Sequence, residues 1–551
     1  MTLYQPPSDG FWTRLDRRLR VSEYAQDRSS NHDLDPVPPA ERTWTGLDFT
    51  TYWISDNFSP QGWRKVASLV TIGMSWRTAL INVAISDIVV GAVVTANGYC
   101  GARYRVPFAI QSRVSFGYYM SWLPILLRCI VGIFWYGIAA YTGGECVRSM
   151  LYAIWPSFRN LKNQLPESAN IDTQMMISYF IYWLSILPLH YVHISKIRWL
   201  FTLKSITLPI VGFGIMGWTI KHAGTGNNSL WSQGNTVHGS AFSWVFMQGL
   251  YSNIGGWATL GMNSPDFTRY AKRPRDSLWM LIALPASATL IAFFGVVSAA
   301  GSITLYGSVL WDPLLFIDKW TSAGGRAAAF FCALGFYFAQ ATNNISANSI
   351  SAANDLNCLF PRYINIRRGQ FIVSVLGTWA LTPWNVLTSA TSFLSFMSGT
   401  AVWLAPLCGI LISDFYLVHR RRYDVWQMYD SRGIYRYNKF GTNFVALAAF
   451  TIGWAPLLPG LLPKVNSNIT VPVGVERLYY CGYFYGFLSA AGSYWLLSMV
   501  FPARRTMLKR GVFPDDEPYV VRDEGEDEID DENRPSSTEG TVECEEKKQD
   551  L

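Results

Sequence analysis

The sequence predicts an all-α integral membrane protein with about twelve transmembrane helices. Three observations carry that prediction. Half of the 551 residues are hydrophobic and only 15% are charged, where soluble domains carry roughly a quarter charged. Windows of about twenty mostly apolar residues recur along the chain, the length a helix needs to cross the hydrocarbon core. Two of these windows, five apart, are interrupted by residues that a continuous membrane helix disfavours. The mean hydropathy of +0.14 averages apolar spans with two strongly polar ends. Eight cysteines are scattered without a C-x-x-C pair and suggest neither a disulfide framework nor a zinc site. The net charge of +7 is read by side of the membrane, and no nucleic-acid partner is expected.

Residues 1–46 read as a polar, cytosolic N-terminal tail. It offers no apolar stretch to serve as a secretory signal, so the first span is expected to do its own targeting. Its last part, Asn31 to Trp44, contains Pro36, Pro38 and Pro39 and reads as a stiffened, extended segment. Spans are expected near 48–72, 76–97, 120–147, 173–193, 198–220, 242–263, 277–302, 326–352, 369–389, 391–417, 442–463 and 478–501. They group as a five-helix repeat (47–220), a second five-helix repeat (241–417), a basic cytosolic loop (418–441) and helices eleven and twelve (442–501). Arginine and lysine gather in alternate loops: Arg103, Arg105 and Arg113; Lys196 and Arg198; Arg269, Lys272, Arg273 and Arg275; Arg362, Arg367 and Arg368; and Arg420 to Lys439. The positive-inside rule puts that set, and both termini, in the cytosol. Two glycosylation sequons, Asn227-Asn228-Ser229 and Asn468-Ile469-Thr470, then fall outside. Residues 502–551 read as an acidic, disordered cytosolic tail. Lys547 and Lys548 are candidate sites for ubiquitin and the endocytic machinery, a plain solubilising tail being the alternative.

The first interruption is Asp56-Asn57-Phe58-Ser59-Pro60-Gln61-Gly62 in span one, where Pro60 removes a helix donor and clashes with the preceding turn. The second is Asn253-Ile254-Gly255-Gly256-Trp257 in span six, where paired glycines give up helix propensity. Broken backbone inside lipid is tolerated only where it lines a protein cavity. Breaks in equivalent spans of two halves are the mark of an inverted-repeat transporter with its solute at the midplane. The alternatives are a reentrant first segment, because Asp56, Arg64 and Lys65 lower its hydrophobicity, and a glycine-mediated helix contact in span six.

Trp135 in span three and Trp257 beside the second break could sandwich a planar ring, each stacked face contributing about 0.5–1.5 kcal/mol beyond burial. Span eight holds Gln340, Thr342, Asn343, Asn344, Ser346 and Asn348, with Asn344 and Asn348 on one face at i, i+4. Amides donate and accept, which suits the alternating edge of a nucleobase or ureide. Interhelical polar contacts, at about 0.6 kcal/mol each, are the alternative. Three acids within spans are candidates for cation coupling: Asp56 first, then Asp87 and Glu145. For Asp87 the alternative is a structural partner on a neighbouring helix, and for Glu145 a solvated place at the external interface.

The motifs Asp33-Leu34-Asp35-Pro36, Arg113-Val114-Ser115-Phe116-Gly117, Trp135-Tyr136-Gly137-Ile138, Gly256-Trp257-Ala258-Thr259 with Pro265-Asp266-Phe267-Thr268-Arg269-Tyr270, and Asn344-Ile345-Ser346-Ala347-Asn348 run across the membrane domain. On these residues the chain resembles the nucleobase:cation symporter-1 family, in its fungal Fur-type branch. The resemblance implies a LeuT-like fold, a 5+5 inverted repeat plus two C-terminal helices, working by alternating access. It implies ring stacking by Trp135 and Trp257 and hydrogen bonding by Asn348 with Asn344 a turn earlier; Gln340 and Phe58 are expected to line the same site. Thr342 and Asn343 fall where sodium-using relatives place hydroxyls, and the amide at Asn343 speaks for protons over sodium. Met397 in span ten falls where relatives carry gating side chains. Two positions depart from uracil and allantoin carriers: Ala139 stands where they have Gln, and Gly256 where they have Lys. Lost partners of this kind predict an altered specificity.

The expected function is a secondary active importer at the plasma membrane, a proton symporter of a small heterocycle such as a nucleobase or allantoin-like ureide, with no cofactor. A vitamin-type carrier of thiamine or nicotinamide riboside, and a non-transporting nutrient sensor on the same fold, are the other readings. A membrane-embedded enzyme is disfavoured by six unclustered histidines and no metal-ligand spacing. A channel is disfavoured by the lack of a filter-like motif.

Overall fold

The computed structural model describes residues 16, 18–21, 30–191, 198–225 and 229–516. The helices that build the bundle are α1 (Gly46–Asn57), α2 (Pro60–Thr71), α3 (Trp76–Tyr104), α4 (Phe108–Phe116), α5 (Trp122–Ile154), α6 (Thr173–Ile186), α7 (Arg198–Ala223), α8 (Gly239–Gly256) and α9 (Ala258–Asn263). There follow α10 (Met280–Tyr306), α11 (Ala323–Asn343), α12 (Ile350–Leu359), α13 (Ile366–Val375), α14 (Ala390–Ser413), α15 (Phe444–Trp454) and α16 (Gly482–Val500). Among the described residues, isolated extended pairing is confined to two bridges, Trp44 with Ala271 and Asp424 with Val512. Among the described residues, six helical stretches are long and apolar enough to cross a membrane: Trp76–Tyr104, Trp122–Ile154, Leu203–Ala223, Pro274–Tyr306, Ala390–Val418 and Phe444–Val465. Span nine, expected over 369–389, is instead α13, a π-helical turn at Leu376–Ala380 and a 3-10 turn at Pro383–Leu387. Pro383 explains the division, since the residue before a proline is pushed out of helical geometry, and Thr382 takes a left-handed φ of 41°.

The order of packing places the two interruptions at the centre. α10 lies against α1, α2, α3 and α7, α11 against α5, and α14 against α8 and α16. The first segment is packed inside the bundle: Phe49 and Trp53 are fully buried, and the charges of Arg64 and Lys65, which lower its hydrophobicity, are buried with partners.

One end of the bundle gathers the basic loops and both ends of the described chain. Arg269 donates to the Asp33 carbonyl at 2.8 Å, Arg105 donates to the Ala271 carbonyl, and Asn31 and Asn357 exchange amide hydrogen bonds. Leu34 and Val37 are buried there, so the proline segment is docked. The tail predicted from 502 onward is likewise packed as far as Asp516. Thr506 pairs with His419 at 2.9 Å, Val512 N–H donates to the Tyr423 carbonyl at 2.8 Å, and Phe513 stacks on Tyr104 at 5.2 Å. Phe513 and Val512 supply apolar area that the acidic part lacks, which is why they fold down. Lys547, Lys548 and the first sequon's Asn227 and Asn228 lie outside the described residues.

Candidate substrate site

At the first interruption α1 ends at Asn57, Phe58 leaves the helix, and Ser59 is extended (φ −151°, ψ 159°) before Pro60 opens α2. The missing proline N–H falls where a helix start has no intrahelical partner anyway, and Ser59 Oγ caps the new helix by accepting from Gly62 N–H at 3.3 Å. At the second, only Trp257 (φ −101°, ψ 0°) separates α8 from α9. A Cβ built on Gly255 would come within 2.4 Å of the Met397 carbonyl oxygen, and one on Gly256 within 2.8 Å of Met397 Sδ. The paired glycines thus let α14 approach, the contact role weighed as the alternative, in addition to ending a helix.

Between the two interruptions lies a cavity of about 80 Å³ lined by Asp56, Asn57, Ser59, Gln61, Lys65, Trp135, Gly256, Trp257, Thr259, Asn343, Asn348, Phe393 and Met397, among others. Drug-sized sites run to about 300–1,000 Å³, so this conformation leaves room for a single small ring at most. A wider groove of about 540 Å³, formed by Leu80, Ile88, Pro285 and Phe293 between α3 and α10, is apolar and stands apart.

Both tryptophans face this cavity. Trp135 is half-buried and meets Phe396 and Phe393 edge-on at 5.6 and 6.2 Å; Trp257 meets Trp53 edge-on at 5.9 Å. Asn344–Ser349 forms a π-helical turn between α11 and α12. The wider turn is a feature common at functional sites, and it changes the register assumed from i, i+4 spacing. Asn348 lines the cavity and Asn344 stands behind it, accepting from Asn348 Nδ2 at 3.3 Å. Asn348 Nδ2 also reaches the Trp135 carbonyl at 3.4 Å, so its amide is weakly held. Of the other sequence-predicted residues, Gly256, Met397, Asp56 and Asn343 are in the lining, whereas Gln340, Ala139, Phe58 and Thr342 are not. Gln340 is fully buried with neither amide atom hydrogen-bonded, Phe58 packs edge-on to Phe294, and Thr342 Oγ1 donates to the Phe338 carbonyl.

Three charged groupings surround the first break. Arg64 is held by Glu145 and Asp312 and donates to Thr142 Oγ1 at 2.7 Å. Glu145 is accordingly buried in an ion cluster and is not the solvated interface residue. Lys65 pairs with Asp87 at 2.9 Å, the structural partnership weighed for that acid, and Trp257 Nε1 donates to the same oxygen at 3.1 Å. Lys204 of α7 donates to Asn343 Oδ1, while Asn343 Nδ2 donates to the Asp56 carbonyl at 2.9 Å. The Lys204 side chain is therefore linked through Asn343 of α11 to the backbone at the end of α1. Lys65, Lys204 and Phe393 were not singled out from sequence. An intramembrane lysine is costly enough to signal function, and Lys204, two turns into span five, carried that signal. Phe393 carried none.

Residues 36–486 match the family described as permease for cytosine/purines, uracil, thiamine, allantoin. The chain belongs to this family. An uncharacterized permease of Schizosaccharomyces pombe is 42% identical over 508 residues, covering 92% of this chain and 90% of that protein. The uracil permease of Saccharomyces cerevisiae is 32% identical (90% of this chain, 81% of the relative), and its allantoin permease 34% (86% and 76%). In fold the permease is similar to Mhp1, a nucleobase-cation-symport-1 family transporter solved in a closed conformation with bromovinylhydantoin bound. The TM-score is 0.69 at 20% identity, over 86% of this chain and 97% of that one. The resemblance drawn from the motifs holds: this is a Fur-type permease of the nucleobase:cation symporter-1 family, a multi-pass membrane transporter of small heterocycles and not an enzyme.

Proposed function

We propose that the permease imports a nucleobase- or ureide-like ring across the plasma membrane by proton symport. In this reading twelve spans are arranged as a 5+5 inverted repeat plus two helices, with both termini cytosolic. The observation that carries the substrate reading is the cavity itself, where Trp135, Trp257 and the loosely held Asn348 amide share one wall set between the two interruptions. Stacking faces plus a two-way amide suit a flat ring with alternating donors and acceptors. The names of the uracil and allantoin permeases and the hydantoin bound to Mhp1 support the same class.

Proton coupling is supported by Lys204. A sodium ion needs several oxygen ligands and no competing cation; here an ammonium already occupies the gap between α1 and α11, facing Asn343 and Asp56. Asp56 Oδ1 is buried without a hydrogen-bond partner, leaving it free to take a proton. Lys65 and Asp87 are the other titratable pair at the cavity. Uptake of uracil, cytosine, allantoin and uric acid by carrier-deficient cells, at pH 5 and 7.5 and with or without sodium, tests the reading. Uptake that rises at the acid pH and ignores sodium is expected; sodium dependence would overturn the coupling, and binding without uptake would make the protein a sensor. Asn348→Ala is expected to abolish uptake at unchanged surface level, and normal uptake would remove Asn348 from the site.

A further inference from the structure

Of the residues lining the cavity, Lys65 supplies the positive charge and Asp56 the negative. A buried ammonium is expensive unless paired. Lys65 Nζ is anchored to Asp87 Oδ1 at 2.9 Å and lies 4.8 Å from the centroid of the Trp257 ring. The same carboxylate oxygen accepts from Trp257 Nε1 at 3.1 Å, so ammonium, carboxylate and indole form one unit joining α2, α3 and the second interruption. An ammonium has three N–H donors. Among the described residues Lys65 gives a hydrogen bond to Asp87, and its attraction to the indole is a cation–π contact. Beside it, a Cβ on Gly256 would stand 4.0 Å from Lys65 Cδ, so the lysine stem passes along the flank left open by that glycine.

The consequence concerns what can stack on Trp257. Lys65 stands over a face of the indole and lines the same cavity, so a solute stacking on that face must offer the ammonium something better. A carbonyl oxygen, or the delocalised negative edge of a deprotonated ring, accepts a charge-assisted hydrogen bond from it. A permanently cationic ring offers no such acceptor and meets like charge at close range in a low-dielectric site.

We propose that Lys65 is a specificity-determining residue: it is displaced from the Trp257 face by neutral or monoanionic carbonyl-bearing heterocycles, donates to their edge, and excludes permanently cationic rings. The inference rests on the carrier reading above and narrows its substrate class. Asp87 is then a positioning residue, keeping the ammonium tethered while it turns from indole to solute.

The test uses the full chain in carrier-deficient cells with surface level quantified. Uracil, allantoin and urate serve as transported probes, and thiamine and nicotinamide riboside as competitors. The expected result has four parts. The unaltered chain takes up one or more of the first three, and the two cations do not compete. Lys65→Met raises the KM for the accepted probe at least tenfold, and Lys65→Arg recovers part of that loss. The pH profile of the remaining uptake keeps its shape. Should Lys65→Met fail to reach the surface, Lys65→Met combined with Asp87→Asn removes both charges together and is read by the same KM, and by loss of the probe's thermal stabilisation of purified protein. An unchanged KM in the charge-free variant, or competition by the cations against the unaltered chain, would overturn the proposal alone. A flattened pH profile at unchanged KM would make Lys65 a coupling residue instead. If the unaltered chain takes up no ring at all, the carrier reading falls and this proposal with it.

Discussion

At the first interruption the chain leaves the helix at Phe58, runs extended through Ser59 and re-enters at Pro60; at the second, Trp257 alone departs from helical geometry. The first is ringed by charge: Arg64 with Glu145 and Asp312, Lys65 with Asp87, and Asp56 facing Lys204 through Asn343. The second is ringed by contact: Gly255 and Gly256 against Met397, and Trp257 edge-on to Trp53. One break is thus held by paired charges buried in protein, where an uncompensated member is costly. The other is held by van der Waals fit, where added volume is costly. The proposed carrier would use both, its charges to select and couple and its close-packed side to supply the flat wall.

That contrast can be broken most forcefully at the charged side. Arg64→Met leaves Glu145 and Asp312 buried without their cation, an effect expected to cost about 3–5 kcal/mol. Loss of folded protein is the expected outcome, read by thermal melting and by surface level; a variant that melts like the unaltered chain would show the cluster to be dispensable. Next comes the contact side. Gly255→Ala puts a methyl against the Met397 backbone, where neither partner can yield, and should cost roughly 1–3 kcal/mol together with most uptake. Equal stability and uptake in that variant would mean the two helices part easily. The smallest effect is expected at Pro60. Ser59 caps α2 whether or not proline follows, so Pro60→Ala should change stability by less than about 1 kcal/mol and leave the break in place. A large loss would show that the proline, and not the cap, keeps α1 and α2 apart.

Much of this was legible before any coordinates. Pro60 announces a helix boundary by chemistry that no neighbour can supply, since it lacks an N–H. The apolar windows announce membrane helices, because backbone groups in lipid must pair within their own segment. The two tryptophans and Asn348 were legible as a candidate site because polar and flat groups inside spans have few other uses, and all three line the one cavity. What escaped notice was relational. Lys65 read only as lowering the hydrophobicity of span one, and Lys204 drew no reading, until Asp87 and Asn343 stood beside them. Gln340 and Phe58, promising by type, are not in the cavity lining: Gln340 is buried within α11 and Phe58 packs edge-on to Phe294.

By itself the sequence determined the class of molecule, the family and where two helices fail, since these depend on hydropathy, on motif identity and on the local rules of proline and glycine. The tertiary structure alone decided which charges meet, what the paired glycines are close to, and which of several plausible side chains line the cavity. Those outcomes depend on distances of a few ångströms between residues 22 to 287 positions apart in the chain, and no local pattern encodes them.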